Sequence, residues 1–283
     1  MPAPFSEYAY TRAHRRRPAA GRRLALVALL VVAVTALGYG GYRGARFAWH
    51  RLHTQETASS HPVSHSQLRQ LTQVTPNTTD QPAAIGTDSP APATPTPAPP
   101  TGAILPVPYT VQAPFGNWKF HQESCEEAAV LMYHDFLQGD TRANIPPNEA
   151  DQQLRALKAW QVQNWGAEKD LSIDRTGQLA QAYYGFHYQV IQVTEASVRQ
   201  AIAAGHPVVV PVMTHSLQNP HYGPKTVYHE LLIKGYSGAG VVSNDAGVQE
   251  GKDWFYSWSI LFGAIDAQTP KMSQGRLGLI LTR

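Results

Sequence analysis

A run of prolines sets the first limit on how this chain can fold. Seven prolines fall within residues 81–100, and the run closes with PAPATPTPAPP. Proline fixes φ and has no N–H to donate, so such a run enters neither a helix interior nor a central strand. Residues 43–103 as a whole are rich in Thr, Ser, Gln, Ala and Pro. With so few large apolar side chains, they cannot bury enough surface to offset the entropy of ordering. They are read as a disordered stalk, extended where proline alternates. A folded domain must therefore lie to one side of this stretch.

The N-terminal side is too short and too apolar to be that domain. Residues 24–37 read LALVALLVVAVTAL, and no charge occurs across the 19 residues 24–42. As a helix they would span about 28 Å, close to the ~30 Å hydrocarbon core of a bilayer. Residues 1–23 hold six arginines (Arg12, Arg15, Arg16, Arg17, Arg22 and Arg23) against one acid, Glu7. The positive-inside rule then places residues 1–23 in the cytoplasm and the remainder outside. A cleaved signal peptide is the competing reading. The long basic leader and the lack of an A-x-A site after the apolar run speak against it. The expectation is a single-pass signal-anchor in the cell membrane with an extracytoplasmic domain at residues 104–283.

Charge divides along the same lines. Residues 1–23 carry +5, residues 24–103 carry +1 and residues 104–283 carry −3. The basic excess belongs to the tail, which excludes a domain that binds nucleic acid through a basic face.

Residues 104–283 hold five of the six tryptophans and are numerous enough to bury a core. Apolar spacing predicts helices over 124–138, 148–162, 175–184 and 194–204. It predicts strands over 187–193, 207–213, 228–236 and 240–245, then a short helix near 257–265 and a last strand at 277–282. Helices first and mostly strands later predict an α+β fold. Ser124 and Glu127 match the S-x-x-E pattern of a capping box at the first helix.

Cys125 is the single cysteine, so an intramolecular disulfide and a multi-thiolate zinc site are both excluded. It falls on the first turn of a predicted helix, where free N–H groups and the helix dipole favour a thiolate. Glu126 and Glu127 act against this, so a histidine is needed to activate the thiol. Of His206, His215, His221 and His229, the last opens a predicted strand. Asp245 ends the next strand and can neighbour His229 across an antiparallel pair. Cys125, His229 and Asp245 make the most economical triad, with Asn244 as the alternative orienting residue. Gln112 is favoured over Gln122 as an oxyanion donor, because a donor must approach from a separate loop. His215, His221 and His229 match no compact zinc spacing, and neither a metal nor another cofactor is expected.

Four segments, VPYTVQAPFGNW, ESCEEAAVLM, YHELLIKGY and SNDAG, carry a resemblance. They resemble the bacteriocin-processing (double-glycine leader) peptidases and their stand-alone relatives, in the papain-like cysteine peptidase superfamily. The resemblance implies a papain-like fold, with an N-terminal helical half and a C-terminal antiparallel sheet. It implies Gln112 at the oxyanion, Cys125 as nucleophile, His229 as base, Asp245 as its orienter, and a peptide or protein substrate. Cys125 is followed by Glu126 and Glu127 where the family often has Gly-Pro, and Ala246 stands where it has Pro. The expected function is a membrane-anchored cysteine peptidase. A peptidoglycan stem-peptide amidase and a catalytically silent peptide-binding domain are the competing expectations.

Overall fold

The run VVVPVM forms strand β5 (Val208–Met213), buried at every position. A mostly β-branched segment with no polar alternation belongs in the middle of a sheet covered on both faces. The computed structural model describes residues 59–74, 99–167, 169–269 and 272–283. The predicted basic tail and membrane anchor lie outside these residues, as do residues 43–58 and 75–98 of the predicted stalk. Among the described residues no helix is long and apolar enough to cross a membrane.

Along one side of β5 runs β6 (Tyr228–Tyr236), followed outward by β7 (Gly240–Asn244), β8 (Trp254–Ser257) and β1 (Ser60–Pro62). On the other side lie β9 (Leu277–Thr282) and β4 (His187–Gln192). These pairings are all antiparallel. A short strand β3 (Ala103–Ile104) pairs with the end of β6 at Gly235 and Tyr236. The backbones there are so close that a Cβ on Gly235 would sit 2.9 Å from the Ala103 carbonyl. Glycine is the residue that permits this approach.

Helix α2 (Cys125–Leu137) packs on β6, with α3 (Pro147–Trp165) and α4 (Ile173–Tyr184) beside it. Every residue of α2 except His134 is buried. Its Leu131, Met132, Tyr133 and Phe136 are among the largest fully buried side chains of the domain. Gly139, at φ 83°, turns the chain just after its C-terminus. Helix α5 (Glu195–Ala203) and helix α6 (Trp258–Gln268) complete the α+β arrangement. The expected capping box at Ser124 does not form, since Ser124 makes no side-chain cap. Its Oγ lies 3.1 Å from His121 Nδ1, and the Glu127 carboxylate accepts from the Gln161 amide on α3. At a buried helix start, partners from neighbouring elements displace the local ones. Strand β8 is also absent from the periodicity, because WFYS is apolar on both faces and runs directly into α6.

The predicted stalk is corrected over residues 59–74. These form β1, a single turn α1 (His65–Leu68) and β2 (Thr72–Gln73), which pairs parallel to β3. Ser60 Oγ accepts from the Trp254 indole at 2.8 Å, His61 stacks on Phe255 at 4.9 Å, and Ser64 with Gln67 caps α1. The composition is polar because this arm adds to an edge of an existing sheet instead of building a core. The domain therefore begins near residue 59 and not at 104. A fragment of residues 104–283 is expected to be less stable than residues 59–283 by about 2 kcal/mol, since it strands the buried indole and unpairs the outer edge of β8. Equal urea midpoints for the two fragments would contradict this.

Candidate active site

The first residue of α2 and the second residue of β6 face one cleft. Cys125, His229 and Gln112 all line a cavity of about 300 Å³, together with Trp118, Tyr222 and Gly247. The β-register explains how His229 meets its partner. Leu232 pairs with Asn244, so the chain leaving β7 runs beside the start of β6. Asp245 Oδ1 lies 2.9 Å from His229 Nε2, with both side chains buried. Asn244 is turned elsewhere, donating to the carbonyls of Val107 and Pro108.

Asp245 is held by more than the histidine. Tyr222 donates its hydroxyl to Oδ1 at 2.6 Å, Tyr256 of β8 donates to Oδ2 at 2.6 Å, and the Gly247 N–H reaches Oδ1 at 3.1 Å. Burial alone would raise the Asp245 pKa. The hydrogen bond and charge of His229, with the two phenols, outweigh it and hold the carboxyl below its usual range. Burial, followed by the Asp245 charge, pushes both tyrosines well up, so they remain hydroxyl donors. A Cβ on Gly247 would meet Tyr222 Oη at 2.2 Å and His229 Cε1 at 2.9 Å. The bare backbone is needed there to let the imidazole and the phenol approach each other.

Cys125 is buried, and its thiol donates to Glu126 Oε2 at 2.9 Å. Burial pushes the thiol well up, and the charge of Glu126, its hydrogen bond and the charge of Glu230 push it further. A backbone N–H at Glu230 opposes them and loses. The sequence expectation that the helix start would favour a thiolate is therefore reversed. Desolvation and two nearby carboxyls outweigh the dipole.

Gln112 lines the cleft, but its amide is engaged. Nε2 donates to the carbonyls of His121 at 2.9 Å and Gln122 at 3.1 Å. It thus ties down the loop that leads into Cys125. The same loop is fastened from the other side by His121, whose Nε2 lies 2.9 Å from Asp151 of α3. Asp151 also accepts from Asn117 and Arg155. His215 and His221 stand apart from His229. His215 lines a separate recess, and His221 lies 3.2 Å from Glu250. Among the described residues no three potential ligands gather to hold a metal.

The sequence reading did not anticipate Tyr222, Tyr256, Glu230 or His121 near the site. Glu230 carried one usable signal, as a charged residue inside the otherwise apolar run HELLI. The tyrosines carried none, because they reach Asp245 from distant segments.

No curated protein matches the chain. A solved crystal structure of a C39-like protein from Bacillus anthracis is similar at 14% identity and a TM-score of 0.43, covering 64% of this chain and 98% of that one. The model of the Peptidase_C39 like family matches residues 104–261, a span that takes in Gln112, Cys125, His229 and Asp245. The chain belongs to the Peptidase_C39 like family, within the papain-like cysteine peptidases.

Proposed function

We propose that the domain hydrolyses peptide bonds with Cys125 as nucleophile. The observation that carries this is the shared cleft of Cys125, His229 and Gln112, with Asp245 bonded behind the histidine. His229 donates through Nε2 to Asp245, which leaves Nδ1 to accept the thiol proton. The thiolate then attacks the peptide carbonyl carbon, and the carbonyl π pair moves onto oxygen. The Cys125 N–H at the start of α2 faces that oxyanion. Gln112 supplies the second donor by giving up its longer bond, the one to the Gln122 carbonyl. Collapse expels the amine, which takes the proton from His229 Nδ1. Water, activated by the same base, hydrolyses the thioester.

The test uses a thiol-directed peptidyl electrophile. Labelling at Cys125 that falls at least tenfold in His229→Ala supports the proposal, and unchanged labelling removes it. Gln112→Ala is expected to lower kcat by about 10²–10³, as for other oxyanion donors. An effect confined to KM would reduce Gln112 to a loop fastener. The same proposal takes residues 24–42 as the membrane anchor that holds the domain outside the cell. Release of the full-length chain by alkaline carbonate washing of membranes would refute that part.

A further inference from the structure

Cys125 and His229 are each followed in sequence by a buried glutamate. Cys125 precedes Glu126 on α2, and His229 precedes Glu230 on β6. Packing α2 on β6 brings these glutamates together beneath the cleft. Glu126 grips the thiol through Oε2 at 2.9 Å, and its Oε1 accepts the Leu171 N–H at 2.7 Å. The carboxyl is thus fixed between the thiol and the segment before α4. Glu230 Oε1 accepts from Thr176 at 2.9 Å and from the Tyr228 hydroxyl at 3.1 Å, while its Oε2 has no hydrogen-bond partner. A buried carboxylate oxygen without a donor costs far more than a protonated one.

We infer that Glu126 is the resting partner of the thiol proton, and that the Glu126–Glu230 pair keeps Cys125 a latent nucleophile. This rests on the proposed function only in naming Cys125 the nucleophile. Two carboxyls and a thiol share a buried site, so their protons leave as a set and not one residue at a time. The first charge to appear falls on the carboxyls. It then opposes a second charge on sulfur at hydrogen-bond distance.

The remaining groups that face the set act in the same direction. Glu127 on α2 and Asp170 before α4 are acids that disfavour further negative charge on the pair. Tyr228, and Tyr222 from the segment before β6, stay protonated beside the charges. His229 is the base that can take the thiol proton, and its Nε2 is already committed to Asp245. Thiolate is therefore withheld until substrate brings an oxyanion site and His229 into use.

Cys125 is the single cysteine, so alkylation of the full-length chain reads this thiol alone. Iodoacetamide rates would be measured from about pH 6 to about pH 11. Glu126→Gln keeps the shape of the side chain and an acceptor for the Leu171 N–H. It is expected to move the alkylation midpoint down by about one pH unit, which is up to about tenfold in rate at neutral pH. Glu230→Gln, whose side chain bonds to Thr176 and Tyr228 and not to the thiol or Leu171, is expected to move it the same way by less. A midpoint unchanged or raised in Glu126→Gln overturns the inference. If that variant does not fold, Glu230→Gln decides alone, with a downward shift supporting the inference and none overturning it. Alkylation requires no hydrolysis, so a chain that cleaves no peptide still answers the question. The two proposals therefore fail separately.

Discussion

Asp245→Asn is expected to lower kcat/KM on a peptide substrate by about 10⁴ while leaving the cleft intact. Asp245 accepts five donors: His229 Nε2, the hydroxyls of Tyr222 and Tyr256, the Gly247 N–H and, at 3.5 Å, the Asn219 amide. An asparagine offers one acceptor oxygen and turns an NH₂ towards a site built for an anion. If that NH₂ faces His229, Nε2 must accept, and the proton moves to Nδ1. Nδ1 is the nitrogen that would have to take the thiol proton, so the wrong tautomer disables the base. Losing the buried charge-assisted bonds will also cost several kcal/mol of stability, so thermal unfolding must accompany the kinetics. The imidazole ¹⁵N shifts separate the two effects, because tautomer reversal changes them and loosening alone does not. Activity within tenfold of wild type in a folded Asp245→Asn chain would rule out this role for Asp245.

The second large effect is on stability. The folded domain is expected to lose stability as pH rises from about 5 to about 9. Glu230 is pushed up from 4.5 to about 8, chiefly by burial, and Glu126 is raised well above its ordinary value by burial and by Glu230. A carboxyl with a raised folded pKa binds its proton more tightly in the native state. Its contribution is whole below the unfolded value and disappears as pH climbs through the folded one. At about 1.4 kcal/mol per unit, the Glu230 shift is worth up to about 5 kcal/mol. Asp245 has the opposite sign. Its pKa is lowered, so its contribution is lost only in acid, below the window of the glutamates. Urea midpoints at pH 5, 7 and 9 would test this, with Glu230→Gln expected to flatten the slope. A wild-type midpoint that rises or stays level across that range would contradict it.

What could be inferred from the chain alone follows the strength of local signals. The apolar spacing of α2 and the unbroken valines of β5 declare themselves, because burial dictates those patterns directly. Strand β6 followed by β7 placed Asp245 near His229 for a reason that antiparallel geometry supplies. The start of α2 was misread because Ser124 and Glu127 match a local pattern but answer to His121 and Gln161 from elsewhere. Residues 59–74 were missed because an added edge strand contributes backbone bonds more than apolar area. The acidic pair after Cys125 was visible as a force against the thiolate. Its counterpart Glu230 stands out only as a charge inside HELLI, since the packing of α2 on β6 alone brings it near the thiol.

The pairing of β2 with β3 bears on the reach of the anchor proposed for residues 24–42. Thr72 lies opposite Ala103 and Gln73 opposite Ile104. Paired strands are about 4.8 Å apart, so the proline-rich segment between them leaves the sheet and returns to almost the same point. Whatever its conformation, it adds nothing to the distance the chain spans from end to end. The proposed tether, beginning after residue 42, is therefore measured to residue 59, at no more than about 3.5 Å per residue, or roughly 60 Å. Lengthening the proline run would leave that radius unchanged, whereas inserting residues before Ser59 would extend it.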